Sequence, residues 1–193
     1  VAVSEGQNGT TSGRTDVLLL GSGFGYAPSD VVSVEVWGSS LRYPCQNWTQ
    51  DGPVSARSGR LRCQLYGGIG RDLRVVVTTL GGWSNPTGAL YSFHPPSIGS
   101  VSPWYAMAGN VSYDVRVFGS NLGYPAGPES PSGVVVGGRP CGDVQMVSAS
   151  EVVCRSHSGT WAGWLSSEVS LAEGGQSASN GSVYTPVGRP EEE

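Results

Sequence analysis

The sequence predicts an all-β protein made of two successive domains of like architecture. Three observations carry that expectation. Short Val-rich runs alternate apolar and polar residues with a period of two, the spacing of a half-buried strand. Thirty glycines and thirteen prolines punctuate those runs, and no stretch keeps a 3.6-residue apolar period over three turns. Finally, the stretch TDVLLLGSGFG beginning at Thr15 returns as YDVRVFGSNLGY beginning at Tyr113. Asp16, Val17, Gly21, Ser22 and Gly25 recur as Asp114, Val115, Gly119, Ser120 and Gly123, each 98 positions on.

The repeat extends in both directions. Val3 and Ser4 reappear as Val101 and Ser102 at the same offset, and Cys45 and Cys63 are answered by Cys141 and Cys154. Gly88, Leu90 and Tyr91 are answered by Gly181, Val183 and Tyr184, after loops of different length. A period near one hundred residues is the size of a self-contained domain and lies well above the roughly 20–50 residues of solenoid repeats. The expected domains are 1–94 and 95–187, with 188–193 a polar tail.

Within the first repeat, Gln7 to Arg14 reads as a polar turn and Asp16 to Leu20 as a strand ended by Gly21, covered on both faces because Val17, Leu18, Leu19 and Leu20 are all apolar. Gly21 to Gly25 is expected to be a hairpin turn. It is a poor nucleotide loop, since it lacks the final spacing of G-x-G-x-x-G and no helix follows it. Val31 to Trp37 alternates, with Val32, Val34 and Val36 expected inward and Ser33, Glu35 and Trp37 outward. Leu61 to Leu65 places Cys63 on the apolar face, where a disulfide to a neighbouring strand would be buried. Leu73 to Thr78 follows, Gly81-Gly82 marks a hairpin, and Leu90 to Phe93 closes the repeat. His94-Pro95-Pro96 is a short stiff junction, for which a preferred interdomain angle is expected. The second repeat follows the same plan through Tyr113 to Val117, Val134 to Val136, Val144 and Met146, Val152 to Cys154, Val169 and Leu171, and Val183 and Tyr184.

Net charge is −4, and all eleven basic residues are Arg. Neither that balance nor the scattered placing of the Arg residues forms a phosphate-binding patch, so a nucleic-acid partner is not expected. Four cysteines at equivalent places in two repeats are read as disulfides Cys45–Cys63 and Cys141–Cys154, the only pairing that treats the repeats alike. Asn8, Asn47, Asn110 and Asn180 each begin an N-x-[ST] sequon, whereas Asn85 is disqualified by Pro86. Disulfides and sequons together predict passage through the secretory pathway and an extracellular or cell-surface location. The chain shows no signal peptide and no apolar run long enough to span a membrane, so it reads as a piece of a longer protein without direct membrane insertion.

No catalytic constellation is expected. His94 and His157 are the only histidines and occupy non-equivalent positions, which suggests neither a zinc site nor a Ser-His-Asp triad. The carboxylates Asp30, Glu35, Asp51, Asp72, Glu129, Asp143 and Glu151 are scattered, and no cofactor or metal is implied. The six tryptophans stand out against three phenylalanines. Trp37 falls on the outward parity of its strand and Trp48 lies within a sequon. Trp83, Trp161 and Trp164 are candidate platforms for sugar rings or a partner surface.

With these features in place, both repeats resemble IPT/TIG domains, the immunoglobulin-like fold shared by plexins, transcription factors and fibrocystin-type surface proteins. The residues that carry the resemblance are Pro96-x-Ile98-x-x-Val101-x-Pro103, the strand ending Gly119 to Gly123, Val134 to Gly137 with Cys141, Val152 to Cys154, and Glu168 to Leu171. The first repeat matches through Gly21 to Gly25, Val32 to Val36, Cys45 and Leu61 to Cys63, but lacks the Pro-x-Ile lead and has a longer segment from Trp37 to Arg60. The resemblance implies two tandem immunoglobulin-like β-sandwiches of about seven strands each and, by analogy with extracellular relatives, a non-enzymatic structural or adhesive module of a large surface glycoprotein. The Lys-free, Gly/Ser/Val-rich composition suits an algal cell or ciliary coat. Two other readings are a carbohydrate-binding module using Trp161, Trp164 and Trp83, and a receptor segment binding a protein ligand near His94 to Pro96. The expected partners are other domains of the same protein, cell-surface proteins or glycans.

Overall fold

A computed structural model describes residues 2–5, 8–38, 41–50, 59–83, 90–103, 112–124, 133–136, 139–156, 167–170 and 176–180. The protein is all-β and divides into two compact units, Val1–His94 and Pro95–Glu193.

The first unit contains β1 (Ala2–Glu5), β2 (Asn8–Gly9), β3 (Arg14–Gly21), β4 (Val31–Trp37), β5 (Arg42–Gln50), β6 (Gly59–Tyr66), β7 (Leu73–Thr79), β8 (Gly82–Trp83) and β9 (Leu90–Phe93). Hydrogen bonding runs β1-β3-β6-β5-β4-β7-β9-β2, with β8 a short hairpin on β7. The path folds into two layers because β5 changes partner midway: Arg42 to Pro44 pair with β4, whereas Cys45 to Gln50 pair with β6. Inward residues of both layers then share one core, Val17, Leu19, Leu61 and Leu65 meeting Val34, Val36, Val75, Val77 and Phe93. Each such aliphatic side chain contributes roughly 1.5–3 kcal/mol on burial.

The segment read as a polar turn also carries β2, which runs parallel to β9 with Asn8 opposite Ser92 and Gly9 opposite Phe93. Only glycine fits at position 9, since a Cβ would strike the Tyr91 hydroxyl. That hydroxyl is buried with no hydrogen-bond partner. Its burial pushes the Tyr91 phenol up to about 12, the neighbouring Thr15 side chain acting in the opposite direction. Tyr91 and Tyr43 each meet the Phe93 ring edge-on at 5.1 Å. Tyr43 donates through Oη to the Ile69 carbonyl at 3.0 Å and accepts from the Ile69 amide at 3.3 Å, fixing the glycine turn before β7.

Two expectations are corrected here. Val32 is 56% exposed and Val31 takes its place in the core, because a bulge between Val31 and Ser33 in the β4–β7 ladder shifts the parity by one. Gly21 to Gly25 is not a hairpin turn: β3 pairs with β1 and β6, β4 with β5 and β7, so the loop crosses from one layer to the other. It ends in a single turn of 3-10 helix, Pro28–Asp30, where Asp30 Oδ2 accepts from the amides of Tyr26 at 2.7 Å and Ala27 at 3.0 Å. Those amides, Ala27 foremost, hold the Asp30 carboxyl below its ordinary value. The hairpin at Gly81-Gly82 does form, Thr79 pairing with Gly82 across a two-residue loop.

The second unit contains β10 (Ser97–Ser102), β11 (Tyr113–Ser120), β12 (Gly133–Val136), β13 (Arg139–Pro140), β14 (Gly142–Ser148), β15 (Glu151–Ser156), β16 (Ser167–Ser170) and β17 (Ser177–Asn180). They form two four-stranded sheets, β10-β11-β15-β14 and β13-β12-β16-β17. Val101, Val115, Val117, Val152 and Cys154 are buried on the first sheet and Val134 and Val136 on the second. The expected strand at Val183 and Tyr184, together with Leu171, His157 and the tail 188–193, lies outside the described residues.

Candidate functional site

The glycine signature of the repeat is a packing device. In both units the chain takes a left-handed turn at the same two offsets, Gly23 (φ 77°) and Gly25 (φ 90°) in the first, Asn121 (φ 54°) and Gly123 (φ 157°) in the second. Glycine and asparagine tolerate this conformation at least cost. Between the paired turns the intervening residue, Phe24 or Leu122, is driven into the interior, where both are buried. A Cβ on Gly21 would lie 2.6 Å from Phe24 Cζ, and one on Gly59 2.7 Å from Phe24 Cδ2. The loop plugs the sandwich and offers no phosphate cradle.

The cysteines pair as expected. Cys45 in β5 bonds Cys63 in β6 across a Cα separation of 5.6 Å, and Cys141, just before β14, bonds Cys154 in β15 across 5.7 Å. Two residues after the first cysteine of each pair, both units again adopt positive φ, at Asn47 (50°) and Asp143 (48°). Each marks a bulge, between Gln46 and Thr49 in the β5–β6 ladder and between Gly142 and Gln145 in the β14–β15 ladder. The extra residue pushes its own side chain outward and leaves it off the ladder.

Around that bulge the outer face carries a polar row in each unit. In the first, Asp16, Gln64 and Gln46 are register partners across β3, β6 and β5. Asn47 Nδ2 donates to Gln64 Oε1 at 2.9 Å and approaches Tyr66 Oη at 3.5 Å, and Tyr66 Oη donates to the same Gln64 oxygen at 3.4 Å. Asn47 is exposed, Tyr66 is 40% exposed, and Trp48 turns the other way to pack against the core. In the second, Asp114 pairs with Arg155, which is also opposite Gly142. There Asp143, Asp114, Arg155 and Gln145 line an open cleft of about 340 Å3 beside Cys154. Among the described residues no group of three or more His, Cys, Asp or Glu could hold a metal ion.

Of the other candidate residues, Asn8 is exposed on β2 and Asn180 ends β17. Trp83 lies in β8, but its side chain is outside the described residues, as are Trp161, Trp164 and Asn110. Trp37 is half-buried and self-contained: its indole Nε1 donates to Glu35 Oε2 at 2.7 Å, and the Arg42 guanidinium sits 4.2 Å from the ring centroid. One face of that ring is therefore taken by the chain's own cation. Gln64 and Tyr66 were not singled out by sequence; their signal was the outward parity opposite Cys63 and Leu65.

No protein-family model and no curated protein matches the chain. Similar solved structures include SGBP-B of the Bacteroides ovatus mixed-linkage glucan utilization locus, in complex with a mixed-linkage heptasaccharide. Identity is 15%, the TM-score is 0.34, and the match covers 96% of this chain but only 46% of that one. Two titin immunoglobulin tandems match at 10% and 11% identity with TM-scores of 0.28 and 0.29, covering 93% and 89% of this chain and 61% and 88% of theirs. The architecture is all-β, built of packed sheets with one disulfide in each unit. Among the described residues no helix is long and apolar enough to cross a membrane.

Proposed function

We propose that the chain is a non-enzymatic tandem module of the IPT/TIG type from an extracellular or cell-surface glycoprotein, acting as a disulfide-stapled spacer with adhesive surfaces. The observation that carries this reading is the pair of equivalent disulfides, each tying adjacent strands of a small sandwich. Small cores gain most from such staples, and the bonds persist only in an oxidising compartment. The polar outer rows and the exposed sequons at Asn8 and Asn47 fit a surface meant to face solvent and carry glycans. Its partners would be neighbouring domains of the same protein, cell-surface proteins or glycans.

The test is secretion of the full chain from an N-glycosylating host, followed by non-reducing peptide mapping, sedimentation and binding to a panel of glycans. Both disulfides formed, at least one sequon occupied and weak self-association support the spacer reading. Saturable glycan binding abolished by Trp161→Ala or Trp164→Ala would replace it with a carbohydrate-recognition module. Stable, folded protein whose cysteines stay reduced would remove the extracellular reading altogether.

A further inference from the structure

We infer that Asn47 bears an N-linked glycan whose first N-acetylhexosamine lies on the Tyr66 ring, a built-in seat on the outer face of β5 and β6. The inference rests on the glycoprotein reading above and names the site and the contact. Asn47-Trp48-Thr49 is a sequon, and the fold divides its three residues by task. The bulge turns Asn47 into solvent, Trp48 packs against the core, and Thr49 stays exposed on the same strand.

The chemistry fits the hydrogen bonds. Asn47 Nδ2 directs one contact to Gln64 Oε1 at 2.9 Å and a longer one to Tyr66 Oη at 3.5 Å. Attachment joins Nδ2 to the anomeric carbon of a lipid-diphosphate-linked oligosaccharide. The bond from that carbon to the diphosphate oxygen breaks, the lipid diphosphate leaves with the electron pair, and one amide proton passes to solvent. The secondary amide keeps one N–H, sufficient for the strong bond to Gln64. The position given up is the weak one, toward Tyr66, so the sugar emerges beside a phenol ring that is 40% exposed. Aromatic faces take the apolar face of a sugar ring well.

The second unit argues that the sequon is not a by-product of the bulge. Asp143 holds the same left-handed conformation, φ 48° against 50° at Asn47, and Asp143-Val144-Gln145 is no sequon. A bulge of this kind asks only for a short polar residue tolerant of positive φ. Thr49 and the exposed tyrosine neighbour are additional features of the first unit.

The experiment uses the full chain secreted from an N-glycosylating host, its glycans trimmed enzymatically to one N-acetylglucosamine. Glycopeptide mapping reads occupancy, and thermal unfolding compares the parent with Thr49→Ala, Tyr66→Ala, Tyr66→Phe and the double variant Thr49→Ala/Tyr66→Ala. The expected result is an occupied Asn47, a folding equilibrium roughly three- to tenfold more favourable with the sugar than without it, and loss of that gain in Tyr66→Ala with recovery in Tyr66→Phe. Asn47 unoccupied while another sequon is occupied would overturn this inference and leave the glycoprotein reading standing. No sequon occupied would overturn both. An occupied Asn47 with the same gain in Tyr66→Ala would overturn the seat on Tyr66.

Discussion

Phe24 and Leu122 stand 98 positions apart in the chain and fill the same place in their units, each held between two left-handed residues. What holds them differs. Phe24 is gripped by two glycines, Gly21 and Gly59, whose missing Cβ atoms make room for the ring. In the second unit the smaller Leu122 leaves Gly119 with another task, since a Cβ there would strike the Ser97 carbonyl of the neighbouring strand. The same glycine thus accommodates a side chain in one unit and a backbone in the other. A repeated motif fixes a conformation more strictly than it fixes a contact.

That difference predicts the largest effects. Phe24→Ala should cost about 3–5 kcal/mol and Leu122→Ala about 2–5 kcal/mol, each confined to the unfolding transition of its own unit in a urea titration. The sharper test is coupling. Gly21→Ala should destabilise the parent strongly but far less in a Phe24→Ala background, where the ring it meets is gone. Gly119→Ala should keep most of its cost without Leu122, because its principal obstacle is the Ser97 backbone, with Leu122 Cδ2 a lesser one at 3.1 Å. Additive losses at Gly21 and Phe24 would sink the comparison.

The disulfides come next. They close loops with sequence separations of 18 and 13, so removal of either pair should cost its unit about 3 kcal/mol, with little between them. Access separates them instead: Cys45 and Cys63 are both buried, whereas Cys141 is half-buried. Under a graded reductant, alkylation mapping should find Cys141 and Cys154 labelled first. Simultaneous labelling would mean that reduction waits for global unfolding in both units.

Tyr91 gives a smaller effect peculiar to the first unit. Its folded pKa is raised by burial to about 12, so the neutral phenol is favoured by folding. The associated stability is intact below the ordinary tyrosine value of about 10 and is lost as pH rises from there through about 12. The loss should reach at most about 3 kcal/mol, at about 1.4 kcal/mol per pH unit between the two values, followed by tyrosinate absorbance alongside circular dichroism. Tyr91→Phe should abolish that component and, by removing an unpartnered buried hydroxyl, leave stability at neutral pH unchanged or slightly higher.

The extent to which the sequence foretold these features follows from how local each signal is. Period-two alternation located β3, β4, β6 and β7 because each keeps buried residues at alternate positions, Val17 and Leu19, Val34 and Val36, Leu61, Cys63 and Leu65, and Leu73, Val75 and Val77. It failed at Val32, where a bulge shifts the parity of the strand's first residues and leaves Val34 and Val36 inward as expected. The strand β5 was missed since Arg42 to Gln50 reads RYPCQNWTQ, with Pro44 in it and only Tyr43 and Cys45 on the buried parity. β17, with the sequence SASN, carries no apolar signal and exists through its pairing with β16. The disulfides were legible because both partners recur at matched positions. The row around Asn47 was not, since it is made by register between β5 and β6, and sequence order says nothing of register once a bulge intervenes.

The bulge itself supplies the finest contrast. If Asn47 and Asp143 are there to hold positive φ, then exchanging them, Asn47→Asp and Asp143→Asn, should each change stability by no more than about 0.5 kcal/mol in unglycosylated protein. Asn47→Val and Asp143→Val should each cost about 1–2 kcal/mol, because a β-branched residue resists the left-handed region. Matched costs at both sites, read from the two units' separate urea midpoints, would establish that the bulge is a shared backbone requirement. A larger loss for Asn47→Asp than for Asp143→Asn would instead assign stability to the Gln64 hydrogen bond. The amide N–H at Asn47 donates to Oε1, and a carboxylate there could only repel it unless the Gln64 amide rotated to present its own donors.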